Sequence, residues 1–99
     1  MIFEYNFNSN IEGFAILYFY AAWSSKCNLH QDVLKRIDNE NKDVSIYKVN
    51  TTKFPHMKQK FSIHKIPSYV IINEGNVLSR VDGYTDAYSL SRWVKKNKV

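Results

Sequence analysis

The sequence predicts an α/β domain in which a central mixed sheet of four or five strands carries helices on both faces. The run Phe14–Tyr20 is apolar and aromatic throughout, which is typical of a central strand buried on both faces. Ser68–Asn73 and Val77–Val81 flank a tight turn at Glu74-Gly75 and predict an antiparallel hairpin. Helical and strand patterns alternate before this hairpin, which indicates parallel crossover connections. A length of 99 residues suits one domain, so residues 1–99 are predicted to form a single unit.

The first half of the chain supplies two further strands and a helix. Ile2–Tyr5 is a candidate edge strand, and the polar run Asn8-Ser9-Asn10 predicts a turn or a clipped helix start. Ser24 and Ser25 are favourable helix N-cap residues. The apolar residues after them are spaced as one helical stripe: Leu29, Val33, Leu34 and Ile37. The alternation of apolar and polar residues in Val44–Val49 then predicts a strand.

The second half supplies two helices that accompany the hairpin. Phe54-Pro55 predicts a helix start with proline in the first turn, and Met57 and Phe61 are expected on its inner face. The segment Tyr84–Lys98 predicts a last helix, because its apolar residues lie on one side: Ala87, Leu90, Trp93 and Val94.

The charge of the chain is basic, with 14 lysines and arginines against 9 aspartates and glutamates. The basic residues are spread along the sequence and are denser only near its end, at Arg92, Lys95, Lys96 and Lys98. That group is interpreted as the solvated face of the last helix, where positive charge also complements the helix dipole. Nucleic acid is therefore not the predicted partner.

Cysteine usage and hydropathy predict the location. No apolar run approaches the ~20 residues that a membrane-spanning helix requires. The segment Met1–Tyr5 lacks the basic start and the long apolar stretch of a secretory signal. The single cysteine, Cys27, excludes an internal disulfide and fits a reducing compartment. We therefore expect a soluble, cytoplasmic protein that does not bind membranes.

Motifs at Phe19–Cys27, Lys48–Asn50 and Ile63–Ser68 resemble those of the thioredoxin family. The stretch from Phe19 to Cys27, F-Y-A-A-W-S-S-K-C, resembles the family's F-W-A-x-W-C-G-P-C, where a buried strand runs into the active-site helix. Lys48-Val49-Asn50 resembles the family's K-x-N/D, and the run from Ile63 to Ser68 resembles its I-x-x-I-P-T loop. Glu74-Gly75 and Gly83 match its hairpin turn and the glycine after its last strand. The resemblance covers about residues 14–98 and implies the thioredoxin fold.

The resemblance implies a peptide groove. The Ile66–Pro67 bond is expected to be cis, a form essentially restricted to X-Pro bonds. Carried over from the family, this turn faces the start of the active-site helix and pairs with an extended substrate segment. The groove would be lined by Trp23, Lys65, Ile66, Pro67 and Ser68. The predicted partner is then a protein or peptide with an extended segment. A packing role for Trp23 and an ordinary turn proline are the alternatives.

The resemblance also shows which chemistry is missing. The family's nucleophilic cysteine is replaced by Ser24, whose hydroxyl pKa is far too high for thiol exchange without a base. Ser24 is therefore interpreted as a helix cap. Cys27 matches the sheltered resolving cysteine, and it is either a small buried residue or a thiol that forms one mixed disulfide with a protein or a small thiol. His30 is either a group that lowers the Cys27 pKa or a solvated surface histidine.

Two further departures from the family pattern argue against redox turnover. Tyr18 stands where the family has a buried acid, and Asp32 stands where the family has the kink proline of its active-site helix. Lys48 matches a lysine that lies near this acid in the family, although the acid itself is absent here. The possible ligands Cys27, His30, His56 and His64 are too scattered for a zinc-finger spacing, and a site shared by His64 and Cys27 is not favoured. The sequence predicts neither a metal nor a cofactor.

Three functions follow from this pattern. The first is a module that binds an extended segment of another protein without redox turnover. The second is a one-cysteine protein in which Cys27 forms mixed disulfides. The third is a disulfide reductase of cell redox homeostasis in which Ser24 replaces a native cysteine, a reading against which Tyr18 and Asp32 argue. In the form given, the chain is predicted to be inactive as a dithiol reductase.

Overall fold

A computed structural model describes residues 1–24 and 31–98. Its elements, in chain order, are β1 (Ile2–Glu4), β2 (Phe14–Tyr20), α1 (Gln31–Glu40), β3 (Ser45–Asn50), α2 (Pro55–Lys60), β4 (Ser68–Asn73), β5 (Asn76–Asp82) and α3 (Ala87–Asn97). The five predicted strands are present, and Leu29 of the predicted helical stripe lies outside the described residues. Between β1 and β2 the chain makes a turn, in which Asn6 Oδ1 accepts a hydrogen bond from the Asn8 N–H (2.8 Å).

The strands form one mixed sheet in the order β1-β3-β2-β4-β5. β3 is parallel to both β1 and β2, whereas β4 is antiparallel to β2 and to β5. β2 therefore has a neighbour on each side, which satisfies its backbone donors and acceptors along its length. This central position explains why the sequence of β2 is apolar without interruption.

Side chains of β2 alternate between two cores. Ile16 and Tyr18 face the side that is covered by α1 and α3, and Leu17 and Phe19 face the side covered by α2. The first core consists of Ile16, Tyr18, Val33, Leu34, Ile37, Val44, Ile46, Tyr69, Ile71, Leu90 and Val94. The second consists of Ala15, Leu17, Phe19, Val49, Phe54, Met57, Ile63, Val70 and Ile72. The prediction of helices on both faces is confirmed.

α1 and α3 are joined by polar contacts around the first core. The Ser91 hydroxyl donates to Glu40 Oε1 (3.0 Å), and this hydrogen bond is the largest influence holding the pKa of Glu40 below its usual value. Lys98 Nζ donates to Asp43 Oδ1 (2.8 Å) and likewise lowers the pKa of that carboxyl group. The C-terminal end of α1 is therefore held to the first half of α3, and the residue that follows α3 is held to the loop after α1.

α3 begins later than the sequence pattern predicts. The prediction placed its start near Tyr84, but Asp86 is extended (φ −74°, ψ 162°) and its carboxylate accepts a hydrogen bond from the Ser89 N–H. An aspartate in this geometry is an N-cap, and the hydrogen bonds from Ser89 lower its pKa. The helix consequently begins at Ala87.

β5 is an edge strand with one irregularity. Its register against β4 shifts between Ile71 and Ile72, as in a β-bulge, so that Ser79 pairs with Ile71 and Val77 with Ile72. Trp93 of α3 crosses to this strand, and its indole N–H donates to Ser79 Oγ (2.9 Å). None of the helices within residues 1–24 and 31–98 has the length and apolar character needed to cross a membrane.

The central strand gives a direct test of the fold. Leu17 is fully buried, so Leu17→Ala is expected to lower the free energy of unfolding by about 3 kcal/mol through lost burial and a residual cavity. Denaturant unfolding measures the change. The matched control is Leu78→Ala, because Leu78 is 47% exposed and its loss should cost about 0.5 kcal/mol or less. Equal losses in the two variants would contradict this placement of β2.

Candidate functional site

The ends of two neighbouring strands bring the candidate site residues to one edge of the sheet. β2 and β4 are antiparallel, and Phe19 near the end of β2 pairs with Ser68 at the start of β4. The residues that follow β2 and those that precede β4 therefore leave the sheet at the same edge. Trp23 and Ser24 belong to the first group, and Lys65, Ile66 and Pro67 belong to the second.

The chain after β2 is held close to the sheet. The backbone N–H and the hydroxyl of Thr51 both donate to the Tyr20 carbonyl (2.9 and 3.0 Å). The Ser24 N–H donates to the Ala21 carbonyl (3.1 Å) and closes a turn. Trp23 lies in that turn with 76% of its surface exposed, so its indole ring is presented to solvent rather than packed in the core.

The loop before β4 has a fixed backbone. The Ile66–Pro67 peptide bond is cis, Pro67 is buried, Ile66 is half-buried and Lys65 is exposed. The Gly83 N–H donates to the Pro67 carbonyl (2.7 Å), which ties the loop to the residue after β5. Gly83 has a φ of +85°, and a Cβ there would also lie 3.3 Å from Lys65 Cε, so glycine suits this position on two counts.

An arginine and an aspartate that sequence reasoning missed support this loop from β5. Arg80 Nη1 donates to the Phe61 carbonyl (3.0 Å), and Nη2 donates to the Ser62 carbonyl (3.0 Å) and lies 3.4 Å from Asp82 Oδ1. The Ser68 hydroxyl lies within hydrogen-bonding distance of the Lys65 carbonyl and of Asp82 Oδ1, the latter at 2.9 Å. We call Ser68, Arg80 and Asp82 the β5 clamp. Its only sequence signal is the spacing of two charges on one side of a strand.

The position of the family's buried acid is filled by an aromatic stack. Tyr18 is 2% exposed, and its ring lies 5.7 Å from that of Tyr20 and 5.0 Å from that of Tyr69. Lys48 pairs instead with Glu4 of β1, with 3.5 Å between Nζ and Oε1, and lies over the Tyr20 ring. Lys48 therefore has a carboxylate partner outside the site, and the side chain at position 18 is a phenol instead of a carboxylic acid.

Four further residues were candidates for a thiol or metal site: Cys27, His30, His56 and His64. Cys27 and His30 lie outside the described residues, so the predictions for them stay predictions. His56 stacks on Phe7 with 5.4 Å between ring centroids. His64 is exposed and lines a shallow cavity of about 430 Å³ together with Pro55, Lys58, Gln59, Ser62 and Ile63. Over residues 1–24 and 31–98, no group of three His, Cys, Asp or Glu side chains is arranged to hold a metal ion.

Sequence comparisons connect these features with known proteins. The thioredoxin family model matches residues 2–96. A thioredoxin from Chlamydia caviae is 31% identical over 93 residues, which cover 93% of this chain and 91% of the relative. Mitochondrial thioredoxin-2 from Schizosaccharomyces pombe is 28% identical over 93 residues, covering 94% of this chain and 69% of the relative.

Solved structures show the same fold. Thioredoxin NaTrxh from Nicotiana alata matches with a TM-score of 0.81 at 19% identity, over 90% of this chain and 76% of that chain. Oxidized mitochondrial thioredoxin 3 from Saccharomyces cerevisiae matches with a TM-score of 0.79 at 20% identity, over 86% of this chain and 79% of that chain. The predicted fold class is thereby confirmed.

The β5 clamp should contribute to stability. Arg80→Ala removes the donor to two carbonyls and one carboxylate, and we expect the free energy of unfolding to fall by about 1 kcal/mol. Denaturant unfolding measures it. Arg92→Ala is the control, because the Arg92 guanidinium lies on the exposed Tyr88 ring and its removal should cost about 0.5 kcal/mol or less. A smaller loss at Arg80 than at Arg92 would refute the role of the clamp.

Proposed function

This chain belongs to the thioredoxin family, and from that premise we propose that it is a protein-binding module without dithiol exchange. Its groove, formed by Trp23, Lys65, Ile66, Pro67 and Ser68, would hold an extended segment of a partner protein. The cysteine count carries the proposal: the sequence has one cysteine, whereas an exchange cycle needs an attacking thiol and a resolving thiol.

Ser24 does not replace the missing nucleophile. A serine hydroxyl attacks only when an adjacent base takes its proton. Within residues 1–24 and 31–98, no histidine or carboxylate is hydrogen-bonded to the Ser24 side chain. The backbone of Ser24 is engaged with Ala21 in a turn, which is consistent with a structural role.

The geometry of the groove supports binding of an extended segment. Trp23 is 76% exposed, and a large exposed aromatic side chain is a frequent anchor of protein interfaces. Among the described residues, the backbone N–H and C=O of Ile66 make no hydrogen bond, whereas the carbonyls of both flanking residues, Lys65 and Pro67, accept one. A donor and an acceptor without a partner among the described residues, at the same edge of the sheet as an exposed indole ring, suit main-chain pairing with a bound strand.

A second candidate function uses Cys27. One relative, monothiol glutaredoxin-4 from Schizosaccharomyces pombe, carries a single-thiol description in its name and is 28% identical over 72 residues, which cover 73% of this chain and 30% of the relative. In a thiol exchange that uses one cysteine, the Cys27 thiolate would attack one sulfur of a partner's disulfide. The old S–S bond breaks, a new one to Cys27 forms, and the other sulfur leaves as a thiolate. An external thiol is then needed for release.

The reductase alternative rests on the relatives that are named thioredoxin. It requires a native cysteine at position 24, and reading that codon in the gene tests it directly. Tyr18 and its stacked neighbours argue against it, because a chain altered only at position 24 would have kept an acid there. The cytoplasmic location stays a prediction from cysteine usage.

Insulin reduction by dithiothreitol tests the absence of turnover. We expect no acceleration by this chain, because a single cysteine cannot complete the cycle. The comparison variant is Ser24→Cys, which restores the pair and shows whether the scaffold remains competent. Clear acceleration by the unchanged chain would refute the proposal, and robust activity of Ser24→Cys alone would favour the reductase alternative.

Peptide titration tests the groove. The probe is a short synthetic peptide of alternating valine and serine, and isothermal titration calorimetry measures its Kd. Truncating an interface anchor removes most of its contact area, so Trp23→Ala is expected to raise Kd at least about tenfold. Tyr88→Ala is the control, since Tyr88 is also an exposed aromatic residue but lies on α3. Equal Kd values for Trp23→Ala and the unchanged chain would contradict a groove at Trp23.

A further inference from the structure

The segment that contains α2 and the groove loop is free of acidic residues. From Val44 to Asn73 the sequence has no Asp or Glu, although it contains five lysines and two histidines: Lys48, Lys53, Lys58, Lys60, Lys65, His56 and His64. Lys48 is paired with Glu4 of β1. The other four lysines form no ion pair within residues 1–24 and 31–98. This part of the surface therefore carries uncompensated positive charge.

Part of this charge borders the groove. Lys58 and His64 are exposed and line the cavity of about 430 Å³ beside α2, with Ile63 buried beneath them. Lys65 is exposed and follows His64 directly, next to Ile66 of the groove. We call Lys58, His64 and Lys65 the basic rim, whose positive charges are those of the two lysines. A segment that pairs with Ile66 and continues toward α2 would pass along this rim.

The β5 clamp removes the negative charges that would oppose an anion there. The C-terminal carbonyls of a helix carry partial negative charge, and those of Phe61 and Ser62, which follow α2, are both covered by the Arg80 guanidinium. Asp82 beside the loop is paired with the same guanidinium and accepts from Ser68. Lys58 and Lys65, in contrast, have no ion-pair partner among residues 1–24 and 31–98.

From this arrangement we infer that the partner segment is acidic, with carboxylates that lie on Lys58, His64 and Lys65 while its backbone occupies the groove. The inference rests on the proposed function, because it concerns the same bound segment. A polypeptide is the partner that the proposed groove requires, because main-chain pairing with Ile66 needs a peptide backbone. Rim charges of this kind add specificity and speed association rather than supplying most of the affinity.

The test compares peptides that differ only in charge. Three synthetic peptides share the valine–serine core and carry glutamate, glutamine or lysine at both ends, and calorimetry measures each Kd. Exposed ion pairs are individually weak, so two or three of them should make the glutamate peptide bind about tenfold more tightly than the glutamine peptide. The lysine peptide should bind more weakly than both. The preference should shrink as ionic strength rises.

Matched charge variants locate the effect. The double variant Lys58→Gln, Lys65→Gln should lose the preference for glutamate. The control, Lys95→Gln with Lys96→Gln, removes the same charge from α3 on the opposite face of the sheet and should keep it. All four lysines are exposed, so both variants should unfold at the same denaturant concentration as the unchanged chain. Loss of the preference in the control as well would assign it to net charge and overturn the inference.

The remaining outcomes separate this inference from the proposed function. Equal binding of the three peptides would overturn the acidic preference and leave the groove intact. No binding of any peptide would refute the proposed function, and the inference would fall with it. Single-stranded oligothymidylate is a fourth probe. Tighter binding of this probe than of the glutamate peptide, abolished by the Lys58 and Lys65 substitutions, would make the surface a nucleic-acid site and overturn the inference.

Discussion

The burial of β2 on both faces and along both edges is the constraint on which the rest of the structure depends. Because β3 and β4 satisfy its backbone, β2 can carry seven residues without a charged side chain, and two separate cores form on its alternate sides. The same pairing sets Phe19 opposite Ser68, so that the chain leaves the sheet beside the loop that contains Pro67. The position of the candidate site is thus a consequence of how the central strand is paired.

The scaffold of the site and its chemistry are separable in this chain. The turn at Trp23 and the loop with the cis Ile66–Pro67 bond are held in place by hydrogen bonds that need no thiol. At position 18, however, the family's acid is replaced by a phenol ring that packs against two other tyrosines. Packing of this kind stabilises the first core and provides no proton acceptor. The described residues thus keep the cis-proline loop without the family's acid.

Local sequence patterns predicted the strands and turns of this molecule, whereas its long-range side-chain contacts could not be predicted from the sequence. Each predicted element depends on residues that are adjacent in sequence: the apolar run of β2, the hairpin turn at Glu74-Gly75 and the Ile-Pro motif. The structure has the corresponding strand, hairpin and loop. The pairings of Arg80 with the carbonyls after α2 and of Lys48 with Glu4 join residues far apart in sequence, and they depend on strand order and register. The one-sided apolar pattern predicted the last helix but did not fix its start, which the capping geometry of Asp86 sets at Ala87 rather than at Tyr84.

The bulge in β5 has a consequence for self-association. An edge strand offers its unpaired backbone groups to any other strand, and β5 also exposes Val77 and Leu78, at 51% and 47% of their surfaces. A regular edge of this composition would template sheet extension from one molecule to the next. Ile71 pairs with Ser79 and Ile72 pairs with Val77, so Leu78 is an extra residue in β5. It makes β5 irregular at the exposed side chains of Val77 and Leu78, so a second strand cannot stay in register across this point. The bulge thereby opposes aggregation through β5, the edge strand at the opposite end of the sheet from β1.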